Sequence, residues 1–201
     1  MINVLDGIVA SFSLENLSET RKEELNSIVQ YIIEKKKRGR TPRLNFICTH
    51  NSRRSQFSQF WASVMANYFN HSCEIYSGGL EITACYQTVI STLVNQGFSV
   101  SKQGALTNPV YKISRQGIEY GTYFSKRFDD PSCPSKAFAA VMTCDHADQN
   151  CPLISGAEQR LSLRYSDPKI YDNTKNEQER YRMKSLEIAQ EMYYIFSSIP
   201  L

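Results

Sequence analysis

The chain has no run of about eighteen apolar residues, the length that a membrane-crossing helix needs. No membrane association is therefore expected. Its N-terminal stretch lacks the combination of a basic region, a long apolar run and a small-residue cleavage site. Ile8 to Phe12 is too short to be the core of a secretion signal. Charge of one sign is also wanting. Lysine and arginine number 23 against 20 acidic residues, and a net charge of +3 is too mild to argue for nucleic acid. Histidine is scarce, with three residues at positions 50, 71 and 146 that lack the spacing of metal ligands. No internal repeat or low-complexity segment interrupts the 201 residues. What remains is a chain of one domain, or one domain with an extension, whose 41% apolar content is ample for a core. Six cysteines without a secretion signal read as free thiols in a reducing compartment, the cytoplasm, with function confined to a few of them.

Periodicity divides the chain into strands and helices. Leu25, Ile28, Val29, Ile32 and Ile33 recur at helical spacing, with Thr20 and Glu23 as a capping box and Gly39 as a C-cap. Lys35, Lys36, Lys37, Arg38 and Arg40 read as the solvated end of this helix. Pro42 then separates an N-terminal helical extension, 1–42, from a domain spanning 43–201. Leu44 to Cys48 reads as a buried strand, Arg54 to Phe69 as a helix, and Cys73 to Ser77 as a second strand broken by Gly78-Gly79. A helix follows from about Tyr86 to Gln96. Val110 to Ser114 and Ile118 to Phe124, joined near Gln116-Gly117, read as a hairpin. Ala137 to Thr143 is a buried strand, Arg160 to Tyr165 a fourth, and Glu177 to Ser197 a long terminal helix. Strands alternating with helices imply an α/β fold, a four-stranded parallel sheet flanked by helices.

The segment Cys48-Thr49-His50-Asn51-Ser52-Arg53-Arg54-Ser55 places a C-x5-R-S loop between the first strand and the helix behind it. Such a loop aims successive backbone N–H groups at one spot, and the helix dipole adds positive potential there. A cysteine opening it is expected to be largely thiolate near neutral pH. Arg54 can hold two oxygens of a tetrahedral oxyanion at once. Ser55 can hydrogen-bond the thiolate, and Asn51 suits a position of positive φ. The candidate oxyanion-binding residues are Thr49, His50, Asn51, Ser52, Arg53 and Arg54. The bare motif is weak, but the apolar strand before it, Asn51, Ser55 and the amphipathic helix after it make it specific. Further along, Cys144 and Cys151, followed by Pro152, add two thiols that suit the resolution of an adduct on the first. Cys73 and Cys85 read as core residues and Cys133 as a loop thiol.

These residues resemble the low-molecular-weight protein tyrosine phosphatase superfamily, and within it the thioredoxin-coupled arsenate reductases. The likeness rests on the Cys48–Ser55 loop, on Tyr76-Ser77-Gly78-Gly79, and on Thr143-Cys144 followed by an acidic loop and Cys151-Pro152. It covers roughly 43–105 and 136–198. His50 and Arg53 depart from the residues usual there, and the chain between Ser101 and Cys144 is longer than usual. The excess, about 106–136, is expected to wall the pocket or to form a partner surface. Tyr111, Tyr120 and Tyr123 in it read as packing.

The resemblance implies a relay. Cys48 attacks arsenate, Cys144 attacks Cys48 and releases arsenite, and Cys151 attacks Cys144 to leave a disulfide for thioredoxin or a similar dithiol. No bound cofactor is implied. The superfamily also uses an Asp-Pro aspartate as general acid towards a phosphoester. Asp167-Pro168, between the fourth strand and the last helix, has that position; Asp130-Pro131 reads as a turn. The catalytic set is then Cys48, Arg54, Ser55, Cys144, Cys151 and Asp167. Two alternatives stand beside arsenate reduction. One is a tyrosine phosphatase working through a Cys48 phosphocysteine; the other is a non-enzymatic module that binds an oxyanion or a partner.

Overall fold

The computed structural model describes residues 4–150 and 153–200. Strands β1 (Arg43–Cys48), β2 (Glu74–Gly79), β6 (Phe138–Met142) and β7 (Ala157–Ser162) form one sheet in the order β2-β1-β6-β7, all neighbours parallel. Helices α3 (Arg54–Tyr68) and α6 (Glu177–Ser197) pack against each other over one face, with α2 (Glu19–Lys37) and α4 (Gln87–Asn95) against α6. The pleat sorts the side chains. Leu44 and Phe46 of β1 and Ala139 and Val141 of β6 join the large core under those helices. Ile47, Phe138, Ala140 and Met142 face the other way, into a smaller cluster with Ala147 of α5 (Asp145–Asn150) and Ile154. Chain order reverses direction at β1, so the crevice at the carboxyl ends of β1 and β6 is the natural place for a ligand.

The N-terminal residues carry a short helix, α1 (Val4–Ala10), that the sequence pattern left undefined. Helix α2 starts at an Ser18 cap, whose hydroxyl accepts from the Arg21 N–H at 3.2 Å, two residues before the expected Thr20 box. It ends as expected at Gly39, φ 65°, with Gly39 N–H on Lys36 O and Arg40 N–H on Lys35 O. Leu25, Ile28 and Ile32 are wholly buried in the main core. The basic end of α2 is not uniformly solvated. Lys35 is buried and ion-paired with Glu158, and Lys36 Nζ lies 3.0 Å from His71 Nδ1.

The expected hairpin exists as β4 (Val110–Arg115) and β5 (Ile118–Tyr123), turned by Gln116 and Gly117 at φ 49° and 82°. It is extended into a three-stranded antiparallel sheet by β3 (Ser99–Gln103), a mostly exposed strand without an apolar alternation to announce it. Strand β7 begins three residues earlier than Arg160.

Gly78 and Gly79 do not break β2; they complete it. A Cβ on Gly78 would stand 2.3 Å from the Phe128 Cα, and one on Gly79 would stand 2.7 Å from Asn51 N and 2.8 Å from Thr49 O. These glycines let the insert and the Cys48 loop close on the strand end. Gly78→Ala is expected to cost about 3 kcal/mol, as overpacking against backbone. Gly39→Ala, with open space around it but positive φ, should cost only about 1 kcal/mol. Urea unfolding of both variants checks the contrast.

Candidate active site

Strand β1 delivers Cys48 to the sheet's carboxyl edge, opposite Gly79 of β2, and the chain then turns into α3. The turn is shaped by where its carbonyls go. Thr49 O accepts from the Leu80 and Glu81 N–H groups at 2.8 and 2.9 Å. His50 O accepts from the Ser125 and Thr83 hydroxyls at 2.7 and 3.3 Å. Asn51 O accepts from Gln56 Nε2 at 2.7 Å, and Ser52 O from the Tyr86 N–H at 3.0 Å. In a planar trans peptide the N–H opposes the C=O. Four carbonyls drawn outward therefore direct the N–H groups of residues 50 to 53 inward. The first turn of α3 adds its own N–H groups, for no side chain caps it. Amides turned in this way make a cradle of the kind that suits an anion, with Cys48 opening the loop.

Asn51 sits at φ 45°, in the left-handed region expected of it. Its Oδ1 accepts from the Lys126 N–H at 3.1 Å, which settles the amide orientation. The Nδ2 then donates to Ser55 Oγ at 2.8 Å and to Ser77 Oγ at 2.9 Å. Ser77 in turn donates to Gln59 Oε1 at 2.5 Å. The Ser55 hydroxyl, which accepts from Asn51, lies 3.1 Å from Cys48 Sγ, where its proton can serve the sulfur once the sulfur is a thiolate. A donor aimed at the sulfur stabilises a thiolate and assists its departure.

Arg54 Nη2 meets Asp167 Oδ2 at 2.5 Å, and Nη1 meets Tyr165 O at 3.2 Å. Asp167 also accepts from the Lys169 N–H at 3.0 Å, capping the turn that Pro168 opens. Asp130 is a turn residue, accepting from Ser132 N–H and hydroxyl at 2.9 and 2.6 Å. Arg53 does not face solvent. It donates to Tyr181 Oη and Asp172 Oδ2 and lies 4.0 Å over the Tyr86 ring. Burial opposes its charge, but Tyr181, Asp172 and Asp167 outweigh burial and hold the guanidinium more firmly protonated. His50 Nε2 lies 3.3 Å from Glu81 Oε2. With Tyr86, Leu106, Pro109 and Tyr111, His50 and Arg53 line a cleft of about 470 Å³ beside the loop. Insert residues thus wall this cleft, although Tyr111, Tyr120 and Tyr123 are themselves buried.

Cys144 follows β6 and is buried. Thr143 N–H and Oγ1 both bond Ile47 O, at 2.8 and 2.9 Å, which sets the next residue against the loop. Cys144 Sγ lies 3.5 Å from Thr49 Oγ1, and that hydroxyl also lies 3.3 Å from His146 Nδ1. Cys151 lies outside the described residues, as does Pro152. Among the described residues, no group of His, Cys, Asp or Glu is arranged to hold a metal ion, and no helix is long and apolar enough to cross a membrane.

No protein-family model matches the chain. It is 24% identical over 132 residues to an arsenate reductase of Halalkalibacterium halodurans, covering 66% of this chain and 78% of that protein. Among solved structures, a low-molecular-weight protein tyrosine phosphatase from T. tengcongensis superposes with a TM-score of 0.54 at 12% identity, over 79% of this chain and all of that one. An arsenate reductase from Archaeoglobus fulgidus gives 0.51 at 17% identity, over 77% and 99%. The chain has the low-molecular-weight protein tyrosine phosphatase fold. Within that fold, Ser77, Gln59, Tyr165, Asp172 and Tyr181 support the loop without having been singled out for it. Ser77 alone had a signal, its place in Tyr76–Gly79.

The remaining thiols have no part in this cradle. Burial pushes Cys73 and Cys85 up to about 12 and Cys133 up to about 11. A raised value means a neutral thiol below it, with roughly one thiolate in ten thousand at pH 8 for a value near 12. Iodoacetamide at pH 8 is expected to modify Cys48 in the folded protein and leave Cys73, Cys85 and Cys133 intact. Peptide mass mapping reads the result.

Proposed function

We propose that this protein reduces arsenate to arsenite through Cys48, Cys144 and Cys151, with thioredoxin or a similar dithiol protein as the reductant. The observation that carries the reading is the placing of Cys144 Sγ on Thr49 Oγ1, 3.5 Å away, so that a second thiol lies against the loop that bears the first. The kinship with a protein described as an arsenate reductase supports it.

In this reading the cradle N–H groups and Arg54 receive the oxyanion, which displaces Asp167 from part of its hold on the guanidinium. Cys48 thiolate attacks arsenic, an S–As bond forms, and a protonated oxygen leaves as water. Cys144 thiolate then attacks Cys48 Sγ. The S–As bond breaks with its electron pair going to arsenic, which passes from As(V) to As(III) and departs as arsenite. A Cys48–Cys144 disulfide remains. Cys151 attacks Cys144 Sγ and releases Cys48 as thiolate, its leaving eased by the Ser55 hydroxyl. The two electrons are restored by the external dithiol. Phosphorus offers no such route, because thiols do not readily reduce it.

Phosphoester hydrolysis is the second reading, favoured by one specific observation. Asp167 stands on Arg54 within reach of the cradle, as a general acid for an ester leaving group would. The two readings share Cys48, Arg54 and Asp167, and part at Cys144 and Cys151.

Thioredoxin- and NADPH-dependent arsenate turnover is expected in the parent protein and absent from Cys144→Ser and Cys151→Ser. Hydrolysis of an aryl phosphate, where present, should survive both substitutions and fall about 100-fold in Asp167→Asn. Aryl phosphate hydrolysis without any arsenate turnover would reverse the order of the two readings.

A further inference from the structure

The segment that holds Arg54 is itself held from outside the cradle. Tyr165 supplies the carbonyl on Nη1 of Arg54, and Asp167, two residues on, supplies the carboxylate on Nη2. One short stretch therefore fixes both ends of the guanidinium fork. Its backbone continues the sheet, with Leu163 N–H on Met142 O and Tyr165 N–H on Thr143 O. Its side-chain anchor points the other way. The Tyr165 phenol, buried, donates to Glu191 Oε2 of α6 at 2.7 Å. Burial and the Glu191 carboxylate push that phenol up, which keeps it a donor.

Glu191 is a carboxylate with a side chain only 5% exposed, and its counter-charge comes from α2. Arg21 grips it in a two-pronged pair, Nε to Oε1 at 2.7 Å and Nη2 to Oε2 at 2.8 Å. Its third nitrogen, Nη1, takes Glu24 at 2.6 Å, and its guanidinium carbon lies 4.8 Å over the Tyr165 ring. Arg21 itself is set by the Ser18 cap at the start of α2. A continuous path of contacts, through side chains from Arg21 to Glu191 and Tyr165 and through backbone atoms at its two ends, thus runs from Ser18 to Arg54. It begins in a part of the chain, 1–42, that lies outside the segments carrying the family resemblance.

We propose that Arg21 is a positioning residue for the oxyanion site, acting through Glu191 and Tyr165 on Arg54 and Asp167, so that helix α2 completes the cradle. The inference rests on Arg54 being an oxyanion ligand, and holds for arsenate reduction and phosphoester hydrolysis alike. An alternative use of the same contacts is fold stability alone, since a buried carboxylate without its arginine is costly wherever it stands. The two uses separate when oxyanion binding is read independently of stability.

The experiment is protection of Cys48 against iodoacetamide by inorganic phosphate, in the full chain and in Tyr165→Phe, Arg21→Lys and Arg21→Met. The half-protecting phosphate concentration is read from the ratio of modification rates with and without phosphate in each variant, so a change in thiol reactivity alone cancels. Tyr165→Phe removes one hydroxyl and keeps the ring, the fold and the Arg54 carbonyl. It is expected to raise the half-protecting concentration about tenfold, as a displaced ligand fork does. Arg21→Met should do the same and Arg21→Lys less, with the charge retained and the fork lost. Melting curves accompany each. A parent protein protected by phosphate, with Tyr165→Phe protected equally well and changed only in melting temperature, would overturn the inference alone. A parent that phosphate does not protect would remove the cradle reading and this inference with it. Should Arg21→Met fail to fold, Tyr165→Phe decides.

Discussion

The outward pull on four consecutive carbonyls, from Thr49 to Ser52, is the constraint on which the rest depends. A loop of this length cannot turn its amides inward unless donors outside it hold its carbonyl oxygens. Here the donors come from the segment after β2, the start of α4, the insert and α3 itself. Each is a weak net contribution, about 1 kcal/mol or less. Their joint effect is to over-determine one backbone path, including the left-handed Asn51. Once that path is fixed, the amide of Asn51 holds the Ser55 hydroxyl beside the sulfur without further adjustment.

The same constraint explains features that look unrelated to chemistry. Gly78 and Gly79 are glycines because the insert and the loop both approach the strand end too closely for a side chain. The insert is drawn in by Asn51 Oδ1 on the Lys126 N–H and by Ser125 on His50 O. It therefore belongs to the cradle's support as well as to the wall of the neighbouring cleft. Charge follows the same logic. The two arginines of the loop are each claimed by a carboxylate, Arg54 by Asp167 and Arg53 by Asp172. Arg53 is held by Tyr181 and Tyr86 as well, whereas Arg54 has, among the described residues, only the Tyr165 carbonyl beside its carboxylate.

What the sequence made legible was local. Cys48, Asn51, Arg54 and Ser55 lie within eight residues, and their residue types and order suggest the proposed chemistry without tertiary information; the structure brings Cys48, Ser55 and Asn51 together. Helix α6 was bounded correctly because 21 residues of amphipathic pattern leave little ambiguity. What failed was long-range. Gly78-Gly79 reads as a break until Phe128 is known to lie across it. Strand β3 has no alternation to detect, being exposed along most of its length. Lys35 looks like one more solvated lysine until Glu158 is found beside it. The partners of Arg53 lie 119 and 128 residues away, and no spacing rule connects them. Cys144 was placed by family resemblance, and its contact with Thr49 is a fact of the fold.

The central claim is that the Cys48 and Cys144 thiols together give two electrons to the bound arsenate and are left as a disulfide. The most direct test is a single turnover of Cys151→Ser with arsenate and no external reductant, quenched in acid and mapped by mass spectrometry. The account predicts one arsenite released per protein and a disulfide joining Cys48 to Cys144. Arsenite without that disulfide, or an intact pair of thiols after prolonged exposure to arsenate, would contradict it.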